Sequence, residues 1–572
     1  MGGNPPGTVA DPAVATAAGV LLTLSSAQFL MTLDSSVMNV SIATVAKDIG
    51  TTVTGIQTAI TLYTLVMASL MITGGKIGQI VGRKRAFSVG CVIYGAGSLT
   101  TALAPNLTVL LIGWSLLEGL GAALIMPAIV ALVATNFGRP ARPRAYGLVA
   151  ASGAVAVAVG PLIGGLLTTY ASWRWVFAGE VFIVAGILVL TGRLHDVEAK
   201  PARLDLVGTG LSAVGLGLVV MGILKAGSWG FVVPRPGSPS WLGLSAVVWL
   251  VVAGGLVLRG FLWWEERQLS RGRPALFDPA MLGNRFLRGG LTSFFFQYLL
   301  QAGVFFCVPL YLSVALGLSA VATGVRILPL SFSLLLVAVG VPKFFPQASP
   351  RRVVRLGFLF LFAGIVLLMA LLELGAGPQI VTWPLLLIGT GIGALASQLG
   401  SVTVSAVPDE QSAEVGGLQN TLTNLGASIG TALAGAVLIA GLTSSFLSGI
   451  QDNPAIPTAL SSQAAVDLSG GVPFVPDSAL ESALKDKGIV GDTAQAVMDE
   501  NATSRIAGLR AAMFVLSLIA LMALFFLGGI PTRQPGADAQ PTTGEPMTGE
   551  PMTGEPTSGP TTGPRTTERA RT

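Results

Sequence analysis

The stretch Gly74-Gly75-Lys76-Ile77-Gly78-Gln79-Ile80-Val81-Gly82-Arg83-Lys84-Arg85 separates two long apolar runs. It is rich in glycine and carries four cations. These cations cannot lie in hydrocarbon, because each would cost roughly 3 kcal/mol at the centre of a membrane helix. We therefore predict a turn at a membrane face. Short basic loops favour the cytoplasmic face, and this assignment orients the rest of the chain.

The composition indicates an integral membrane protein with many spans. Of 572 residues, 52% are hydrophobic and 11% are charged, whereas a soluble domain carries about 25% charged residues. The net charge of +5 is scattered over loops, which favours topology and contact with anionic lipid over nucleic-acid binding. Cys91 and Cys307 both fall in apolar runs, where small core residues are expected rather than a disulfide or a metal site.

Fourteen apolar runs are each long enough to cross a hydrocarbon core of about 30 Å. They lie at 14–43, 55–74, 86–104, 107–135, 145–168, 175–194, 207–226, 240–259, 287–311, 320–341, 356–376, 378–399, 416–441 and 508–530. An even number of spans with a cytoplasmic start places both termini inside. Most Lys and Arg residues then fall in cytoplasmic segments, as expected for this orientation.

The order of the runs predicts a duplicated architecture. The basic segment 350–355 follows the second span of a second set, just as 74–85 follows the second span of the first. Two parallel halves around a midplane site are typical of secondary carriers. The predicted units are a cytoplasmic tail (1–13), a six-helix bundle (14–199), an inserted helix pair (200–262), a second six-helix bundle (263–530) with an outside loop (442–507), and a disordered cytoplasmic tail (531–572).

Charged residues inside the spans are the candidates for function. The chain has no nucleotide-binding phosphate loop and a single histidine, His195, in a polar segment. We therefore expect a carrier without cofactor or metal, driven by an ion gradient or by the substrate's own gradient, rather than an enzyme. Buried carboxylates can carry protons. The predicted proton-coupling or substrate residues are Asp34, Glu118, Glu180 and Arg326.

Each of these residues also has a structural interpretation. A buried carboxylate can simply pair within the bundle, and Arg326 can pair with a carboxylate or extend outward. Small polar neighbours around Asp34 indicate a water-filled cavity. Four further polar residues are candidates to line it, or to join helices by hydrogen bonds: Gln57, Gln301, Asn420 and Asn424.

Conformational change is predicted at two glycine-rich places. In the fifth span, Gly160, Pro161, Gly164 and Gly165 form either a packing kink or a hinge that opens one side of the cavity. In the first basic stretch, the candidate residues for gating are Gly75, Gly82, Arg83 and Lys84.

Four segments together resemble one family. The turn Gly75–Arg85, the segment Leu33–Val40 in the first span, the segment Gly160–Gly165 and the segment Ser172–Phe177 are similar to signatures of the fourteen-helix drug:proton antiporter branch of the major facilitator superfamily. The resemblance implies an all-α fold of two six-helix bundles plus an inserted pair. It also implies a bacterial inner-membrane protein that exports amphipathic or cationic compounds in exchange for protons by alternating access.

Three positions depart from the family pattern. Gln79 stands where the family has an acid, which leaves its charge-pair latch without that acid. Ser115 replaces an arginine of the fourth helix, and Glu118 replaces a glutamine. We therefore hypothesise that Glu118 takes part in proton coupling in this chain.

The expected partners are small-molecule substrates, protons and the lipid bilayer, with no nucleic acid and a monomeric chain. Two alternatives stay open at this stage. A carrier of the same fold could move a lipid, a siderophore or an endogenous antibiotic. A membrane scaffold or sensor could act through the outside loop 442–507.

Overall fold

The computed structural model describes residues 12–51, 53–138, 141–196, 203–235, 237–408, 411–468, 472, 474–475 and 477–534. Most of the two predicted tails, namely residues 1–11 and 535–572, lies outside the described residues.

Helices account for nearly all of the described chain. The first half contains α1 (Pro12–Asp48), α2 (Val53–Val81), α3 (Arg83–Ala102), α4 (Leu107–Asn136), α5 (Arg142–Tyr170) and α6 (Arg174–Leu190). The inserted pair is α7 (Leu206–Trp229) and α8 (Ala246–Ser270). The second half contains α9 (Arg285–Leu310), α10 (Ala320–Phe344), α11 (Pro350–Leu371), α12 (Thr382–Val404), α13 (Ser412–Asp452), α14 (Thr458–Asp467), α15 (Asp477–Asp486) and α16 (Asp492–Ala523).

The predicted all-helical membrane fold is confirmed. Among the described residues, thirteen helices are long and apolar enough to cross a membrane. Helix α3 has 20 residues and is a fourteenth helix of comparable length, about 30 Å. Three cations at its start, Arg83, Lys84 and Arg85, lower its mean hydropathy.

A small hairpin corrects the predicted start of the eighth span. Ser240–Trp241 pairs antiparallel with Leu244–Ser245, so α8 begins at Ala246 and not at residue 240. Leu242 and Gly243 both have positive φ angles, 51° and 74°, as the tight turns of two-residue hairpins require.

The turn predicted over residues 74–85 is wrong except at one residue. Helix α2 continues to Val81, and only Gly82, with φ 99°, separates it from α3. The glycines serve close helix packing instead of breaking the helix. A Cβ on Gly74 would lie 2.0 Å from the Ala123 carbonyl oxygen of α4, so only glycine permits this approach.

The predicted outside loop 442–507 is also largely helical. Helix α13 continues to Asp452, α16 already begins at Asp492, and α14 and α15 lie between them. The helical stretch predicted at 477–487 corresponds to α15, whereas the one at 492–504 is the first part of α16. Buried apolar residues hold this segment together: Leu442, Phe446, Ile450, Ile456, Val472, Leu484 and Val497.

The buried apolar residues form separate clusters in the two halves. One large cluster draws on residues between 20 and 194, and a second draws on residues between 294 and 530. The domain boundaries proposed from the sequence stay predictions.

A smaller cluster joins the two halves at one end. Val130 of α4 packs with Leu287 of α9, Val404 of α12 and Val415 of α13. All four lie near loops that are predicted to be cytoplasmic. The two halves therefore meet at the predicted cytoplasmic end in this conformation.

Candidate functional site

Three carboxyl groups from three helices meet inside the first half. One oxygen each from Asp34 of α1, Glu118 of α4 and Glu180 of α6 lie within 4.8 Å of one another. The three residues are 1%, 0% and 1% exposed. We call these three residues the acid cluster. The sequence named all three as candidates, but did not predict that they lie close together.

Asp34 is held by an aromatic donor. The Trp114 indole Nε1 donates to both carboxylate oxygens of Asp34, at 2.9 and 3.1 Å. The Tyr63 ring of α2 lies parallel to the indole, with 5.2 Å between the ring centroids. Trp114 is 1% exposed, so its N–H has no competing water in this conformation.

Hydroxyl groups of α3 serve the two glutamates. Ser98 Oγ and the Tyr94 hydroxyl lie 3.1 and 3.4 Å from Glu180 Oε2. Thr101 Oγ1 lies 3.3 Å from Glu118 Oε1. The spacing of 94, 98 and 101 places these residues on one face of the helix. Sequence analysis missed this polar stripe, although its spacing is visible in the sequence.

The geometry of α4 comes from an irregular turn. Residues Leu111–Glu118 form a π-helical segment, a feature that is often found at functional sites. Ser115 Oγ anchors the segment by donating to the Ala59 carbonyl of α2 at 2.8 Å. Gly97 of α3 leaves room for Glu118, because a Cβ there would lie 2.6 Å from Glu118 Cγ.

Within the described residues, the acid cluster has no cationic partner. No ion pair there involves Asp34, Glu118 or Glu180. Glu118 Oε2 and Glu180 Oε1 are buried and accept no hydrogen bond from a described group. An unpaired buried charge costs several kcal/mol, and adjacent negative charges repel one another. The cluster is therefore suited to hold protons or a cation.

The water-filled cavity expected around Asp34 is wrong for this conformation. Aromatic residues occupy the space beside the carboxyl group, since Tyr63, Tyr94 and Trp114 are all buried. Among the small polar neighbours of Asp34, Ser36 packs against α5, whereas Ser35 interacts with Tyr63 of α2. A Cβ on Gly160 would lie 2.5 Å from Ser36 Oγ.

The other predicted residues are not brought to the acid cluster. Arg326 of α10 is half-buried and makes no ion pair or hydrogen bond with a described residue. Asn420 Nδ2 donates to the Gly416 carbonyl of its own helix at 2.9 Å. Asn424 Nδ2 donates to the Asn420 carbonyl and lies 3.4 Å from Met71 Sδ of α2.

The cavity-lining and hinge roles stay predictions. Gln301 is half-buried on α9, and the side chains of Gln57 and Pro161 lie outside what the structure describes. Helix α5 is continuous through the predicted hinge. Gly164, like Gly160, packs against α1, because its Cβ would lie 2.9 Å from Val37 Cγ1.

The basic residues after α2 lie at the predicted cytoplasmic end. Asp196, after α6, accepts the backbone N–H groups of Arg83 and Lys84 at 3.1 and 3.0 Å, as a carboxylate does at a helix N-terminus. The Arg83 guanidinium donates to the Ala131 carbonyl of α4 at 3.2 Å and to Thr135.

A similar tie occurs in the second half. The Arg351 guanidinium at the start of α11 donates to the carbonyls of Gly528 and Ile530 after the last helix, both at 2.8 Å. In each half, the helix that follows the basic segment is thus fastened to the end of that half. This arrangement is what a duplicated architecture predicts.

The sequence matches proteins of one family. The profile of the Major Facilitator Superfamily matches residues 24–431. A puromycin resistance protein of Streptomyces alboniger is 33% identical over 451 residues, which cover 76% of this chain and 84% of that protein. A tetracenomycin C resistance and export protein of Streptomyces glaucescens is 28% identical, covering 73% of this chain and 75% of that protein. A probable actinorhodin transporter of Streptomyces coelicolor is 27% identical, covering 79% and 78%.

Solved structures of transporters share the fold. A human organic anion transporter superposes with a TM-score of 0.54 at 13% identity, covering 91% of this chain and 100% of that one. A proton:xylose symporter gives the same TM-score at 12% identity, covering 92% and 100%. The profile match spans both halves and the inserted pair, and the solved structures agree in fold. The chain belongs to the Major Facilitator Superfamily.

Proposed function

We propose that this protein is a proton-coupled exporter of amphipathic or cationic drug-like compounds, and that it works by alternating access in a bacterial inner membrane. In this proposed function the carrier is monomeric, needs no cofactor and has both termini in the cytoplasm. The proton gradient is its energy source. The observation that carries the proposal is the acid cluster of Asp34, Glu118 and Glu180, which is buried without a cation among the described residues.

The relatives support the cargo class. They are a puromycin resistance protein, a tetracenomycin C resistance and export protein and a probable actinorhodin transporter. A further relative is a multidrug resistance protein of Mycobacterium tuberculosis. A compound of antibiotic-like size and character is therefore the proposed cargo of this chain.

The acid cluster supports the energy source. A proton carrier has to be stable in both its protonated and its ionised form. Carboxyl groups shielded from water and close together can do so near neutral pH, because burial and neighbouring negative charge both oppose ionisation. In alternating access, proton and substrate must bind the two conformations differently for one to drive the other.

The experiment uses the full-length protein in proteoliposomes with an imposed pH gradient and a panel of dyes and antibiotics that includes puromycin. Export should move protons in the opposite direction. Glu118→Gln should abolish gradient-driven accumulation while leaving substrate binding. Glu373→Gln, which removes an exposed carboxyl after α11, is the matched control. Accumulation that survives collapse of the pH gradient would contradict proton coupling. Transport of only a lipid or a siderophore would contradict the proposed cargo.

A further inference from the structure

The three acids of the cluster differ in the kind of partner that serves them. Both oxygens of Asp34 accept from the indole N–H of Trp114, and the hydroxyl groups of Tyr63 and Tyr94 also lie beside Asp34. Among the described residues, Glu118 and Glu180 are hydrogen-bonded by hydroxyl groups alone. An indole N–H is only a donor, while a hydroxyl can donate or accept. The indole, which can only donate, therefore distinguishes Asp34 from the two glutamates.

The hydroxyls beside the glutamates can serve both states. Thr101 Oγ1 lies 2.9 Å from the Gly97 carbonyl as well as 3.3 Å from Glu118. Its single proton can point to only one of them. When the Thr101 proton points to the Gly97 carbonyl, a lone pair of Thr101 Oγ1 faces Glu118. It can then accept a hydrogen bond from the neutral carboxyl group of Glu118. When Glu118 is ionised, the hydroxyl can rotate and donate to it.

Ser98 is placed between a backbone carbonyl and Glu180 in the same way as Thr101 is placed between Gly97 and Glu118. Its Oγ lies 3.2 Å from the Tyr94 carbonyl of its own helix and 3.1 Å from Glu180 Oε2. Each glutamate also keeps one buried oxygen without a described partner, Glu118 Oε2 and Glu180 Oε1. Such an oxygen can carry a proton without breaking an existing hydrogen bond.

Asp34 has the opposite arrangement. Both oxygens of Asp34 accept a hydrogen bond from the Trp114 N–H. That N–H cannot accept a hydrogen bond from a protonated Asp34 in return. The bond is strongest when Asp34 is ionised, because a hydrogen bond to a charged acceptor is about twice as strong as one between neutral groups. The parallel ring of Tyr63 and the buried position of Trp114 fix the direction of the N–H.

Among the described residues that face Asp34, no cation is present that could hold it as an anion in place of Trp114. The titratable groups near it are Tyr63 of α2, Tyr94 of α3, Glu118 of α4 and Glu180 of α6. The part of α5 that packs on α1, between 153 and 168, contains no titratable residue.

The geometry points to Trp114 as a positioning residue that keeps Asp34 as the anion of the cluster, so that Glu118 and Glu180 carry the transported protons. This assignment rests on the proposed proton coupling and deepens it. The assignment also ascribes a role to the π-helical segment Leu111–Glu118, which contains both Trp114 and Glu118. Residues four apart share a helix face, so one irregular turn presents both the donor for Asp34 and one proton carrier.

The test is infrared spectroscopy of the full-length protein in lipid vesicles at neutral pH, where a protonated carboxyl group gives its own C=O stretching band. Glu118→Gln and Glu180→Gln should each remove part of this band, whereas Asp34→Asn should leave it. These substitutions nearly preserve side-chain shape. Loss of the band in Asp34→Asn, or no carboxylic band at all in the wild type, overturns the assignment.

Trp114→Phe tests the positioning role. Loss of the donor should let Asp34 take up a proton, so that a new carboxylic component forms in the spectrum at neutral pH. That component should disappear when Asp34→Asn is added. The matched control is Trp264→Phe, which removes an indole bond of 2.7 Å to Asp205 outside the cluster and should not change the band. An unchanged band in Trp114→Phe overturns the role of Trp114.

The transport assay separates this inference from the proposed function. If wild-type vesicles exchange protons for substrate but Asp34→Asn loses the band, the assignment alone fails. If the infrared assignments hold but substrate moves no protons, the proposed function alone fails.

Discussion

Lys76 near the end of α2 and Glu414 at the start of α13 form an ion pair across the two halves, with 3.3 Å between Nζ and Oε1. Both side chains are largely buried, at 15% and 11% exposure. The sequence analysis found no acid at position 79 and hence no charge-pair latch from that position. The structure supplies a charge pair three residues earlier, with the cation on α2.

We expect this pair to stabilise the conformation in which the cytoplasmic end is closed. Lys76→Glu places two acids together and should favour opening of that end by about 1–3 kcal/mol. The measurement is thiol labelling from the cytoplasmic side at Gly400→Cys, which lies against Tyr146 of α5. The double variant Lys76→Glu with Glu414→Lys should restore slow labelling. Equal labelling in the single and double variants would show that the pair has no such effect.

Gly417 of α13 should control the same closure by its size. A Cβ on Gly417 would lie 2.9 Å from the Met71 carbonyl of α2, and a backbone atom cannot move aside as a side chain can. Gly417→Val should therefore hold the cytoplasmic end apart and lower transport severalfold while the protein still folds. Gly435→Val is the control on the same helix, because its nearest neighbour is the Phe306 ring at 3.5 Å. Equal transport in the two variants would contradict this role.

The sequence predicted the helices better than their contacts. Apolar length alone located the spans, because a membrane helix has to be long and apolar. Which face of such a helix meets its neighbour is not visible when the helix is apolar on all sides. The sequence therefore identified Asp34, Glu118 and Glu180 individually but could not predict their convergence. It also gave no sign of the π-helical segment, which contacts α2 through Ser115 and α3 through Gly113.

Glycine was the main source of error in the fold prediction. In water, a stretch such as 74–82 with four glycines favours a turn. In a packed membrane bundle the same residues allow backbones to approach, and the helix continues to Val81. Trp114 was missed for another reason, since a tryptophan in an apolar run resembles core filling. Its position four residues before Glu118 is the signal that could have identified it.

Glu265 should fasten the inserted helix pair to the rest of the protein. This fully buried residue of α8 accepts the backbone N–H of Leu276 at 2.6 Å and that of Phe277 at 3.4 Å. Leu276 and Phe277 belong to an apolar cluster that includes Ile72 of α2, and Leu418 of α13 packs against it. The segment after α8 therefore touches both halves.

Glu265→Ala should release this segment, because two buried N–H groups lose their acceptor at a cost of about 1–3 kcal/mol each. Limited proteolysis at Arg271 and Arg273, which lie in the exposed connection after α8, should become faster. Glu266→Ala, which truncates the exposed neighbouring acid, is the matched control. Equal cleavage rates in the two variants would contradict the anchoring role.

The opposite end of the first half contains a pH-dependent contact. Asp48 at the end of α1 accepts from the Arg174 guanidinium and from the Trp173 indole, the latter at 3.0 Å. The hydrogen bond from Arg174, and then that from Trp173, holds the pKa of the Asp48 carboxyl below its ordinary value. A group with a lowered pKa stabilises the folded state above its ordinary pKa, about 3.9 for Asp, and loses that contribution as the pH falls through the folded value.

Asp48→Asn should therefore lower the free energy of unfolding at neutral pH, and its difference from the wild type should vanish in strong acid. The effect should stay below about 1 kcal/mol, because the two side chains of the ion pair are 33% and 45% exposed and water screens them. Thermal unfolding in detergent over a series of pH values measures it, with Asp452→Asn at the exposed end of α13 as the matched control. If the difference in free energy of unfolding is the same at neutral pH and in strong acid, the charge of Asp48 does not contribute to the contact between α1 and α6.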